Sequence, residues 1–123
     1  MKSDKPFSIQ ARLKSFVFAF AGIKAFFSNE PQALLHALAA LLVVVAGFYF
    51  KISLHEWIAV VFSIGIVVVS EMLNTAIEKL TDMVSPEIHP KAKVVKDLAA
   101  GAVLMASMVA LVVGLIVFLP KIL

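Results

Sequence analysis

Between Ser70 and Asp82 the chain carries Glu71, Asn74, Thr75, Glu78 and Asp82. At about 100° per residue a helix gathers them: with Glu71 at 0°, Glu78 falls at about −20°, Asp82 at about +20°, Thr75 at about +40° and Asn74 at about −60°. Carboxylates and an amide on one stripe are suited to proton or ion translocation, to ligation of a divalent metal, or to general-base chemistry. Asp82 falls at the end of the pattern, where a merely solvated carboxylate also belongs. Downstream, a connection containing Ser85, Pro86, Glu87, His89, Pro90, Lys91 and Lys93 leads to Lys96-Asp97. Cations beside oxygen ligands suit a polyphosphate, whose charge a metal and a lysine neutralise together. Lys96 is the phosphate candidate, whereas Lys91 and Lys93 suit anionic lipid headgroups.

Other chemistry-bearing residues are sparse. His36, His55 and His89 lack the i, i+4 spacing of a zinc site, and there is no cysteine to join them or to act as nucleophile. His36 reads as a hydrogen-bonded helix-packing residue. Glu30 precedes Pro31 and either joins the acidic set or simply begins a helix. None of the 5 glycines sits in a phosphate-binding loop pattern, so a nucleotide site here is built differently from a Walker or dinucleotide motif.

The elements that must position these groups follow from composition. Of 123 residues 62% are hydrophobic and 15% charged, against the roughly 45–50% apolar content of soluble domains. This points to a single small all-α membrane domain over residues 1–123. Apolar runs at 33–50, 57–77 and 98–119 each match a hydrocarbon core of roughly 30 Å, and they show no strand-like alternation. Three transmembrane helices are expected. The segment 7–28 mixes Arg12, Lys14 and Lys24 with the aromatics Phe16, Phe18, Phe20, Phe26 and Phe27 and reads as an amphipathic helix in the headgroup region. Lys2, Lys5, Arg12, Lys14, Lys24, Lys79, Lys91, Lys93 and Lys96 account for nine of the 11 basic residues, and all fall before the first run or between the second and third. The positive-inside rule then makes the N-terminus and the second connection cytoplasmic. The net charge of +3 is thus topology, and no nucleic-acid partner is expected.

Glu71 lies only about four residues, or roughly 6 Å, from the middle of the second run. A charge at that depth costs on the order of 2.5–3.5 kcal/mol, so a protein interior, a metal ion or a watery cleft must compensate it. Two functions other than catalysis fit buried acids: a small oligomeric ion or proton conductor, and a purely structural membrane subunit. Neither accounts for the Lys96-Asp97 pair.

The string Glu71-Met72-Leu73-Asn74-Thr75-Ala76-Ile77-Glu78, followed by Asp82, His89-Pro90 and Lys96-Asp97-Leu98-Ala99-Ala100-Gly101-Ala102-Val103, closely resembles the prokaryotic diacylglycerol kinase family, which includes undecaprenol kinases. The resemblance extends from about Arg12 to Pro120. It implies a homotrimeric lipid kinase of the bacterial inner membrane, with active sites between subunits that use ATP and Mg²⁺ to phosphorylate a lipid alcohol. It further implies Glu71 as general base, Glu30 and Glu78 as metal ligands, and Asn74, Lys96 and Asp97 as the nucleotide and catalytic shell, with Glu87 and His89 near the nucleotide. Some diacylglycerol-specific members carry arginine and tyrosine where this chain has Ala11 and Phe18. Glu30-Pro31-Gln32, His36 and His89-Pro90-Lys91 are more similar to the undecaprenol-kinase branch.

Overall fold

Serine, histidine and proline set where the helices begin. In a computed structural model, which describes residues 6–123, the order is α1 (Ile9–Asn29), α2 (Pro31–Tyr49), α3 (Leu54–Val84) and α4 (Pro90–Ile122), with no strand among the described residues. Lys2 and Lys5, assigned above to the cytoplasmic side, lie outside the described residues. Ser8 Oγ accepts the Ala11 N–H at the start of α1. Ser53 and Glu56 form a reciprocal capping box on α3, and His89 Nδ1 accepts the Lys91 N–H at the start of α4, with Pro90 in the first helical position. Helices α2, α3 and α4 are each long and apolar enough to cross a membrane. The protein is therefore an all-α, multi-pass membrane protein.

The helices α3 and α4 overrun the expected spans 57–77 and 98–119, reaching 31 and 33 residues. Hydropathy falls where a helix leaves hydrocarbon, but backbone hydrogen bonding has no reason to stop there. At about 1.5 Å per residue these helices are roughly 46 and 50 Å long, well beyond a core of roughly 30 Å. Pro86 closes the α3 overhang by denying the backbone its next donor, and Pro90 opens α4 at the first helical position, where a missing N–H costs nothing.

The chain divides into two compact units, one running to Leu34 and the other from Leu35 to Leu123. In the first, α1 buries Phe26 but leaves Phe16, Phe18 and Phe20 exposed. A helix so apolar on its outside suits an interface between water and lipid better than water alone. Arg12 lies over the Phe7 ring, 5.3 Å from its centre.

In the second unit α3 and α4 run antiparallel. Asp82 meets Lys96 at one end, and Val60 packs with Val117 near the other. That register puts the buried Ala99 and Ala106 about level with Glu78 and Glu71, where small side chains let α4 approach the polar stripe. The end remote from the stripe is apolar: Ile52, Val60 and Val117 are enclosed by Val43, Phe50, Trp57, Ile64, Val113 and Phe118. Lys121 Nζ, 3.0 Å from Glu56 Oε2, ties the last turn of α4 to the first turn of α3. Lys51 turns the chain between α2 and α3 in the left-handed region at φ 52°.

The α2–α3 approach depends on Gly47, because a Cβ there would stand 2.6 Å from Cη2 and 2.8 Å from Cζ2 of Trp57. The indole is itself held against Phe48, with ring centres 4.8 Å apart. Gly47→Ala is expected to displace the indole and lower stability by about 1–3 kcal/mol, read by reversible unfolding in mixed micelles. An unchanged midpoint would mean that Trp57 is free to move aside.

Candidate functional site

The acidic stripe of α3 is present as spaced. Glu71 is buried at 8% exposure, Thr75 is equally buried, and Asn74 and Glu78 are half-buried, while Leu73 and Leu80 on the opposite face are exposed. The charge of Glu71 is met by protein: His36 Nε2 on α2 lies 2.8 Å from Glu71 Oε1. An ionised carboxylate only accepts, so with the carboxylate ionised the imidazole N–H is the donor. This cross-helix bond supplies part of the compensation that bilayer depth demands.

His36 also closes one end of a groove of about 300 Å³ between α2, α3 and α4. The groove continues past Ala39, Val43, Val67 and Val113 to Phe118, and Ser63 and Ser107 are its other polar residues. Ser63, Ser70 and Thr81 donate their hydroxyls to carbonyls of α3 itself, those of Ala59, Val67 and Ile77. These hydroxyls satisfy themselves locally and do not bridge helices.

Two polar atoms on the stripe are left over. Asn74 Nδ2 donates to Glu78 Oε1 at 3.1 Å, but Asn74 Oδ1 and Thr75 Oγ1 are buried without a hydrogen-bond partner among the described residues. Each such orphan costs about 1–3 kcal/mol, which a folded protein tolerates most readily where a ligand supplies the missing partner. The oxygens of Glu78 and Asn74 are hard donors of the kind Mg²⁺ prefers. Among the described residues no three His, Asp or Glu side chains converge on one point. A magnesium ion that arrives with phosphates needs only one or two carboxylates, so the donor set fits it.

Beyond Glu78 the groups spread along the helix ends. Lys96 Nζ bonds Asp82 Oδ1 at 2.5 Å, so Asp82 is paired and Lys96 sits one turn past Glu78, level with Asp82. Lys93 pairs with Asp97 at 2.6 Å, as i, i+4 geometry on α4 allows. Both pairs are substantially exposed, so each is worth little and yields readily to a better anionic or cationic partner. Glu87 and His89 lie exposed on the connection, with His89 lining a dip beside Thr81, Ser85 and Lys91. Glu30 belongs to the first unit, where it ends α1 through its N–H to the Phe26 carbonyl and immediately precedes Pro31 of α2.

The spacing of residues identified the Glu71, Asn74 and Glu78 face but missed the His36–Glu71 bond. A signal was present: His36 and Glu71 are the ionisable residues inside neighbouring apolar runs, at comparable distances from the short connection that makes those runs antiparallel.

The family described as prokaryotic diacylglycerol kinase matches residues 17–118. The chain is 42% identical over 108 residues to the undecaprenol kinase of Bacillus subtilis (strain 168), covering 88% of each. To the diacylglycerol kinase of Synechocystis sp. (strain ATCC 27184 / PCC 6803 / Kazusa) it is 33% identical over 112 residues, 90% of this chain and 64% of that one. To the diacylglycerol kinase of Escherichia coli (strain K12) it is 29% identical over 100 residues, 81% and 82% of the two chains.

The orphaned hydroxyl predicts the outcome of a simple substitution. Thr75→Val keeps the shape and removes the unpaired oxygen, so the ligand-free protein should unfold at the same midpoint or higher. A fall of more than about 1 kcal/mol would reveal that the hydroxyl is already bonded.

Proposed function

The chain belongs to the prokaryotic diacylglycerol kinase family, and from that premise we propose that it transfers the γ-phosphoryl group of ATP to a membrane lipid alcohol, undecaprenol in preference to diacylglycerol. The observation that carries the reading is a carboxylate, Glu71, buried at bilayer depth on the same helical face as Glu78 and Asn74. A lipid hydroxyl rests just under the headgroups while ATP arrives from the cytosol, so transfer needs groups on both sides of that boundary. The order Glu71, Glu78, Lys96 along the bundle supplies them. The preference for undecaprenol is supported by the 42% identity to an undecaprenol kinase, against 33% and 29% to diacylglycerol kinases.

In this reading the N-terminus and the α3–α4 connection face the cytosol at the inner membrane of a bacterial cell, and α1 lies in the headgroup region. Glu71 accepts the proton of the lipid hydroxyl as its oxygen attacks the γ-phosphorus. Glu30 and Glu78 would hold Mg²⁺, with Asn74 Oδ1 beside them. When bound, the ion neutralises charge on the phosphates. Lys96 leaves Asp82 to meet phosphate oxygens, and Asp97, released from Lys93, orients the nucleotide with Glu87 and His89 at the rim. Assembly as a homotrimer, with each site shared between subunits, would cover exposed apolar faces such as those of α3 and α4 and bring Glu30 to the site.

Two substitutions separate the roles. Glu71→Gln keeps the shape but loses the base, and should lower kcat by about 100-fold or more while MgATP affinity and the oligomer persist. Glu78→Gln should instead weaken nucleotide binding in a way that rising Mg²⁺ concentration partly restores. Full turnover in Glu71→Gln, or MgATP affinity in Glu78→Gln indifferent to Mg²⁺, would overturn the assignment.

A further inference from the structure

Resting on the kinase reading, we propose that His36 is a positioning residue for phosphoryl transfer: its Nε2–H holds Glu71 Oε1, so that the other oxygen, Oε2, is the one that meets the lipid hydroxyl. The bond is 2.8 Å long and joins α2 to α3, and so fixes one oxygen of the carboxylate from a second helix. A glutamate has three rotatable side-chain torsions, and a base that wanders among rotamers spends most of its time out of line. A second helix that pins one oxygen removes that freedom before substrate arrives.

The chemistry is consistent through the step. The O–H bond of the alcohol breaks and its proton passes to Glu71 Oε2. The alcohol oxygen bonds the γ-phosphorus, and the bond from that phosphorus to the bridging oxygen breaks, its electron pair leaving with ADP. Oε1 accepts from the imidazole N–H both before and after the proton arrives, so His36 need not move or change protonation while Glu71 does. The environment favours such a bond: His36 closes a groove whose walls past it are mostly carbon, from Ala39 and Val43 to Phe118, and few competing polar groups are at hand.

Replacement with leucine removes the donor, and replacement with glutamine keeps an N–H at similar reach while removing the ring. In lipid micelles with MgATP and undecaprenol, His36→Leu should lower kcat by about 10- to 100-fold with KM for ATP within about twofold of wild type. His36→Gln should recover most of that loss. Oligomer size and unfolding midpoint are followed in parallel, so that a folding defect is read separately from a slow folded enzyme. The inference is overturned if folded His36→Leu keeps wild-type kcat, if His36→Gln falls as far as His36→Leu, or if the change lies in KM for ATP. Failure of the kinase reading looks different: wild-type protein would itself phosphorylate neither undecaprenol nor diacylglycerol.

Discussion

An ionisable side chain held at bilayer depth constrains everything around it. Glu71 cannot face acyl chains at a cost of about 2.5–3.5 kcal/mol without compensation, so neighbouring helices must enclose it and at least one of them must bring a donor. The fold meets both conditions. α2 delivers His36 to Glu71, and α4 presents buried alanines, Ala99 and Ala106, about level with the acidic stripe, so that it can lie close. Enclosure, however, is incomplete along the stripe. Asn74 Oδ1 and Thr75 Oγ1 are shut away from water and still unpaired, the arrangement expected of a surface shaped for a ligand with donors or a cation of its own.

The helical bundle from Leu35 to Leu123 divides its work between two ends. At one, packing is apolar and closely fitted: Trp57 sits against Gly47, Val60 against Val117, and the Glu56–Lys121 pair ties helix termini together. At the other, α3 and α4 continue past the hydrocarbon and carry charged groups in exposed pairs, Asp82 with Lys96 and Lys93 with Asp97. Exposed pairs exchange partners at little cost. A closely packed end therefore holds the register, and a polar end with exchangeable pairs is where the proposed phosphorylated ligand would be met.

Much of this was legible in the amino-acid order, for identifiable reasons. Apolar runs report hydrocarbon depth directly, so the three membrane helices followed, and the helical period placed Glu71, Asn74 and Glu78 on one face. Helix lengths did not follow, because α3 and α4 continue through polar residues that hydropathy excludes, α3 as far as Val84 before Pro86 and α4 from Pro90 onward. Pairing between helices was also hidden. Lys96 opposite Asp82 and His36 on Glu71 depend on the antiparallel register, which is set by Trp57 against Gly47 and Val60 against Val117, contacts that no local pattern announces. His89 illustrates the converse: a loop histidine beside Pro90 is also a helix cap, and its Nδ1 serves that role.

If the proposed function holds, this enclosed acidic face joins an activated phosphate to a membrane alcohol. The most direct measurement offers undecaprenol and diacylglycerol together to the purified protein in lipid micelles with γ-labelled ATP and Mg²⁺, and follows label into each lipid. Labelled lipid is expected in step with ADP release, with undecaprenyl phosphate formed faster. No labelled lipid, together with ion flux across liposomes that consumes no ATP, would rule out a lipid kinase.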